Sequence, residues 1–145
     1  MSRTQVAFIR TATIYLVLTG GLGVAMMIEP AWTGILRIAH THAGFLGFFL
    51  SFVMGVAFWL MPRPGGERTP RLEAVTFVTY HGGLALRMIA DPIARATGAG
   101  WAGPVTIVAG TTTLIGMIVF AASMWRRARS AETLRRLRTE PDRRG

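Results

Sequence analysis

Apolar residues run almost without interruption through four segments of the chain, separated by short clusters of proline, glycine and charge. The segments cover roughly residues 11–28, 35–61, 72–90 and 105–125. Each is close to the ~20 predominantly apolar residues that cross a bilayer as a helix. The first stops at Glu29-Pro30, and the second at Pro62 and the breaker-rich Arg63-Pro64-Gly65-Gly66. The third stops before Asp91-Pro92, and the fourth follows the turn-rich Thr97-Gly98-Ala99-Gly100. The expected fold is all-α: a polytopic membrane protein forming a bundle of four transmembrane helices. Residues 126–145 form a polar arginine-rich tail, where Leu134 and Leu137 among arginines predict a short helix. Arg3 and Arg10 precede the first apolar run in the manner of a signal peptide. No clean small-x-small cleavage site follows, Met26-Met27-Ile28-Glu29-Pro30 being a poor one, so the run reads as a retained span.

The net charge is +9, and every basic residue is arginine. These arginines flank apolar segments instead of covering a soluble face, which argues against nucleic acid as a partner and for a lipid bilayer. With four spans, the N-terminus, the second-to-third connection and the tail share one side, and that side holds thirteen of the sixteen arginines. Arg37, Arg87 and Arg95 are left on the other. Cytoplasmic segments carry the excess of basic residues, so both termini are expected in the cytoplasm, in a bacterial-type inner membrane. Trp32 and Trp101 fall at the opposite interface, where aromatic belts lie, and Trp59 and Trp125 near the cytoplasmic one. The tail arginines are expected to sit among anionic headgroups.

The absence of cysteine removes disulfides, thiolate metal sites, iron–sulfur clusters and covalent haem attachment from consideration. Histidine is the residue type that draws attention. The chain has three, His40, His42 and His81, all inside apolar segments. An imidazole in the hydrocarbon region is costly unless something satisfies it, and so marks a candidate site. From the expected span ends and a rise of ~1.5 Å per residue, His40 and His42 lie roughly 8 and 11 Å below the outer surface, and His81 roughly 14 Å. The three share the outer half of the membrane on neighbouring spans. His40 and His42 are two residues apart, so they point about 200° apart on a helix and cannot face one partner together. His40 shares its face with Gly44, Gly47 and Ser51, which is smooth enough for a porphyrin plane. His42 shares its face with Phe45, Leu46 and Phe49, which is bulky but apolar. Arg37 at the outer mouth and Arg87 in the third span have the chemistry to neutralise haem propionates, or to snorkel to headgroups. Glu29 and Asp91 read as loop and helix-end residues, and Met54, Met61 and Met88 as core. No strong carboxylate is visible inside the spans.

The run from His40, HTHAGFLGFFLSFVMGVAFWLMPRP, resembles the second transmembrane helix of the haem–copper oxidase and nitric oxide reductase catalytic subunits. The matching elements are His40-Thr41 near the outer surface, Gly55, the aromatic pair Phe58-Trp59 and then Pro62. In that family the histidine is an axial ligand of the low-spin haem. Counted back from Pro62, its position falls at or beside Thr41, so His40 and His42 both qualify. The pattern of His40, His42 and Gly47 also resembles small four-helix proteins described as oxidase-subunit-like, and YHGGLALRMI resembles their second histidine-glycine motif, making His81 the candidate partner. A full catalytic subunit has about twelve spans and six metal-binding histidines, so a chain of four spans and three histidines does not assemble both metal centres.

The resemblance implies a b-type haem-binding membrane protein, with the haem held non-covalently by His81 and by His40 or His42. Two axial imidazoles would serve electron transfer, whereas one would leave an iron position open to a diatomic gas such as nitric oxide or oxygen. A redox partner is not identifiable, and a homo-oligomer would close the porphyrin edges. Two other readings stand beside it. One is a copper or zinc site on the three imidazoles. The other is a cofactor-free accessory or assembly subunit, or a small transporter.

Overall fold

The structure is a computed structural model that describes residues 1–61 and 70–139, with side chains as far as Arg129. Arg63, Arg68, Arg143 and Arg144 of the expected cytoplasmic count lie outside the described residues, as do the side chains of Leu134, Leu137, Arg135, Arg136 and Arg138.

All regular structure among the described residues is helical. Helix α1 covers Arg3–Ile28. A single 3₁₀ turn, Pro30–Trp32, then leads into one unbroken helix that changes pitch as it goes. Its parts are α2 (Thr33–His42), a π-helical stretch (Ala43–Leu50) and α3 (Ser51–Leu60). Helix α4 covers Pro70–Thr97 and α5 covers Ala102–Thr139. Local sequence explains the ends. Ser2 and Gln5 form a reciprocal capping box on α1, which satisfies amide groups the first turn leaves free. Gly98, at φ +66°, ends α4 in the left-handed region that glycine enters without strain.

Two expected boundaries move. The third apolar segment was expected to stop before Asp91-Pro92, yet α4 runs on to Thr97 with Pro92 inside it. The proline removes one backbone hydrogen bond, and the burial of Asp91 against α5 holds the helix on course. The tail is not a separate short helix, because α5 continues through Arg126 to Thr139.

Among the described residues, three helices are long and apolar enough to cross a membrane: Arg3–Ile28, Pro30–Leu60 and Ala102–Arg129, with mean hydropathies of 1.8, 2.0 and 2.0. They mark the chain as a membrane protein. Helix α4 falls outside this set because it carries Arg71, Glu73, Arg87, Asp91 and Arg95. It is nonetheless the helix most enclosed by the others, packing along its length on α5 and touching α1 and α2.

Small residues set how closely the helices approach. The ring of Tyr15 lies directly on Gly47, Phe8 on Gly55 and Thr19 on Gly44, which seats α1 against the pitch-changing helix. In α4 and α5 the contact is backbone on backbone: Gly83 lies against Ala109 and Thr113, and Gly116 against Tyr80. Lipid is as apolar as leucine, so such packing, together with interhelical hydrogen bonds, is what holds membrane helices to one another. The core between them is Phe8, Tyr15, Ala43, Met54, Phe58, Tyr80 and Leu84.

Candidate functional site

Among the described residues, the buried charged side chains and the buried imidazole fall at three levels, and α4 contributes to each. At the first level, residues from four helical segments meet. Glu73 of α4 accepts from Ser2 Oγ at 2.7 Å and from Gln5 Nε2 at 2.9 Å, and pairs with Arg127 of α5 at 3.4 Å. Gln5 and Arg127 both also donate to the carbonyl of Phe58, at 3.1 and 3.0 Å. That carbonyl belongs to the last turn of α3, where four oxygens lack an intrahelical partner. Residue 62 is proline, so it offers no amide to Phe58. The Arg127 guanidinium also lies 5.1 Å from the centroid of the Phe58 ring. Gln5, Glu73 and Arg127 are all buried. Because Ser2, Phe58, Glu73 and Arg127 come together here, the N-terminus of α1, the end of α3, the start of α4 and the later part of α5 share one end of an antiparallel bundle.

This cluster was not read from the sequence. Arg127 reads as part of the polar tail, and the expectation of no strong carboxylate inside the spans is corrected by Glu73, the second residue of the third apolar segment, which is buried. The signal that could have found them was Pro62, which strands the Phe58 carbonyl and so calls for a donor from another helix.

The second level is His81. Its Nδ1 donates to the Phe77 carbonyl at 3.2 Å, and its Nε2 lies 2.9 Å from Ser51 Oγ. A carbonyl can only accept, so the proton sits on Nδ1 and Nε2 accepts from the serine hydroxyl. Tyr80 OH donates to the Leu46 carbonyl at 2.8 Å, inside the π-helical stretch. There the Ser51 amide reaches back five residues to Leu46 instead of four, and the added residue per turn is what brings Ser51 round to α4. The rings of Phe8, Phe77, Tyr80 and Tyr15 enclose His81, with centroids 4.4 to 6.3 Å away. Ser51→Ala would strand His81 Nε2 in this enclosure. A loss of about 1–3 kcal/mol in stability is expected, read from thermal unfolding in detergent against the parent protein.

The third level lies at the other end of α4. Arg87 Nε contacts Asp91 Oδ2 at 3.1 Å, and Thr106 Oγ1 donates to Asp91 Oδ1 at 3.1 Å. Asp91 is thus a buried acceptor between α4 and α5, where a helix-end residue was expected. Arg87, one candidate for a haem carboxylate, has this partner inside the chain. Arg37, the other, is exposed.

The three histidines do not share a depth. His81 meets Ser51, which is nine residues past His42, or about 14 Å further along the helix. The expected match placed the outer end of the third span at residue 90. Helix α4 runs seven residues past that point, so a count from residue 90 does not fix the register of α4 against the helix that carries His42. His40 Nδ1 contacts the Thr19 carbonyl at 3.0 Å, and its ring lies against Gly23, so His40 faces α1. Gly44 and Gly47, on the same face, are covered by Thr19 and Tyr15, so the smooth surface accommodates α1. His42 Nδ1 contacts the Ile38 carbonyl of its own helix at 2.8 Å. Helical spacing places it on the flank away from α1, where it is half-buried. Among the described residues no three metal-ligating side chains are grouped, and the three imidazoles are not gathered at one point.

A haem held between His81 and either of the other two does not fit this arrangement, because His81 Nε2 is taken by Ser51 a level below. The donor chemistry of a single imidazole does fit at His42. Its Nδ1–H is anchored on a carbonyl, which leaves the Nε2 lone pair as the ligand atom, and Nε2 has no hydrogen bond among the described residues. No protein-family model, curated protein or solved structure matches the chain.

Proposed function

We propose that this chain is a four-span inner-membrane protein of bacterial type, with both termini in the cytoplasm, that carries one b-type haem on His42. The fourth span is α4. Glu73 and Asp91 are 18 residues apart, about 27 Å along a helix, which is close to the ~30 Å thickness of the hydrocarbon core. Both acids are paired within the bundle, so the charges that lower the hydropathy of α4 lie near the two interfaces and away from lipid. The arginine distribution supports the cytoplasmic assignment of the end that holds Ser2 and Arg127.

The observation that carries the haem reading is the anchored tautomer of His42. The Ile38 carbonyl fixes the ring and makes Nε2 the donor, and Arg37 stands exposed toward the outer end of the helix, available to a carboxylate. Haem iron, when bound, supplies one-electron chemistry and an open coordination position. One imidazole favours binding a diatomic gas over bis-histidine electron transfer. A second copy of the chain would cover the exposed side of this face, where Phe45 and Phe49 stack with centroids 5.9 Å apart.

The absorption spectrum of the purified protein tests this. A Soret band is expected, shifting when carbon monoxide is added to the reduced form. His42→Ala should abolish it, while His40→Ala and His81→Ala should retain it. A colourless preparation that takes up no hemin would overturn the reading. The burial of Glu73, His81 and Asp91 at three depths favours a second reading, a small proton-coupled transporter without a cofactor. That reading predicts a colourless protein that moves protons in reconstituted vesicles.

A further inference from the structure

Between the first turns of α1 and α4, a cavity of about 230 Å³ opens on the outside of the bundle. Its walls are Ala7, Ala74, Phe77 and Val78, and its mouth carries Arg3 and Thr4. The small side chains of Ala7 and Ala74 leave room between the two helices, and Phe77 and Val78 add apolar surface. The groove lies at the end of the bundle marked by Ser2 and Glu73, and it runs from there toward the middle of the helices.

Charge and polarity change along its length in one direction. The apolar walls suit a hydrocarbon chain. Arg3 is exposed and has no ion pair among the described residues, and the Thr4 hydroxyl has no hydrogen bond among them. The acids closest in sequence to the groove do not compensate Arg3. Glu73 is turned inward, onto Ser2, Gln5 and Arg127. We propose that this groove is a specific site for one anionic phospholipid of the cytoplasmic leaflet, with an acyl chain between α1 and α4 and the phosphate on Arg3 and Thr4. A guanidinium binds a phosphate oxygen pair in a fork, and a hydroxyl adds a further donor. The site differs from the general attraction of the arginine-rich tail to headgroups because it has an open apolar groove for an acyl chain and two named headgroup contacts.

The proposal rests on this end of the bundle lying at a membrane interface, and not on the haem reading. The test is retention of phosphatidylglycerol against phosphatidylcholine by the full chain, measured by native mass spectrometry after detergent exchange. The parent protein should keep one phosphatidylglycerol preferentially. Arg3→Gln should reduce that preference about fivefold, the effect of one arginine near a surface, with phosphatidylcholine retention unchanged. Ala74→Leu fills the groove and should reduce retention of both lipids. Arg10→Gln, an exposed arginine of the same helix that does not line the groove, should change neither. Equal loss from Arg3→Gln and Arg10→Gln would reduce the effect to surface charge and overturn the proposal, as would retention unaffected by Ala74→Leu. Circular dichroism of each variant shows that the helices persist. A haem-free preparation that still selects phosphatidylglycerol would separate this proposal from the preceding one.

Discussion

Arg127→Met is expected to cost about 3–5 kcal/mol of stability, the largest effect of any single polar substitution in this chain. The substitution leaves the Glu73 carboxylate, whose side chain is 3 % exposed, without its counter-charge. Ser2 and Gln5 still donate to it, yet neither neutralises it. The Phe58 carbonyl loses one of two donors, and the Phe58 ring loses the guanidinium above it. A buried pair is not stabilising merely because it is a pair, since desolvation of the two charges offsets most of their attraction. The double variant Glu73→Leu with Arg127→Met is therefore expected to recover much of the loss. Gln5 would retain its bond to Phe58 in that variant. Thermal or denaturant unfolding in detergent of the parent, the two singles and the double forms the cycle that checks this. A double variant as unstable as the sum of its singles would show that the cluster acts through packing and not through charge compensation.

The same cluster shows where the sequence was legible and where it was not. Long apolar runs report helices, because a span must satisfy its backbone internally and hide it in apolar side chains. The four segments accordingly stand as helices. Their ends read less well. Asp91-Pro92 looks like a stop because proline breaks an isolated helix, but Thr106 and Arg87 supply partners for Asp91, and the helix continues. A count from that stop does not fix the register of His81 against His42, and imidazoles that appeared level are apart. The sequence does show that His40 lies on the glycine-bearing face, and His40, Gly44 and Gly47 all meet α1. Register between helices was not legible, because it depends on which glycine receives which ring. Gly47 reads as smooth in the sequence, and only the fold shows that Tyr15 occupies it. Pairing of distant charges is equally invisible, since nothing local joins Glu73 to Arg127.

Gly83→Ala and Gly116→Ala are each expected to destabilise the bundle by about 1–3 kcal/mol, although alanine is the better helix former. A methyl at Gly83 would stand 2.5 Å from the Ala109 carbonyl oxygen and 2.6 Å from the Thr113 amide, and one at Gly116 would stand 2.7 Å from the Tyr80 amide. These neighbours are backbone, so no side chain can turn aside and the helices must part. Parting costs more than local strain. Tyr80, against which Gly116 packs, also donates to Leu46, and its neighbour His81 bonds to Ser51. Displacing α4 from α5 therefore disturbs the second polar level. The two substitutions act on one interface, and once α4 has moved for the first methyl the second meets less resistance. The double variant should lose less than the sum of the singles. Gly21 has open space around it, so Gly21→Ala should be neutral or slightly stabilising. Thermal unfolding of the four variants in one detergent measures all of these. Near-neutral Gly83→Ala and Gly116→Ala would mean that α4 and α5 are not held backbone to backbone.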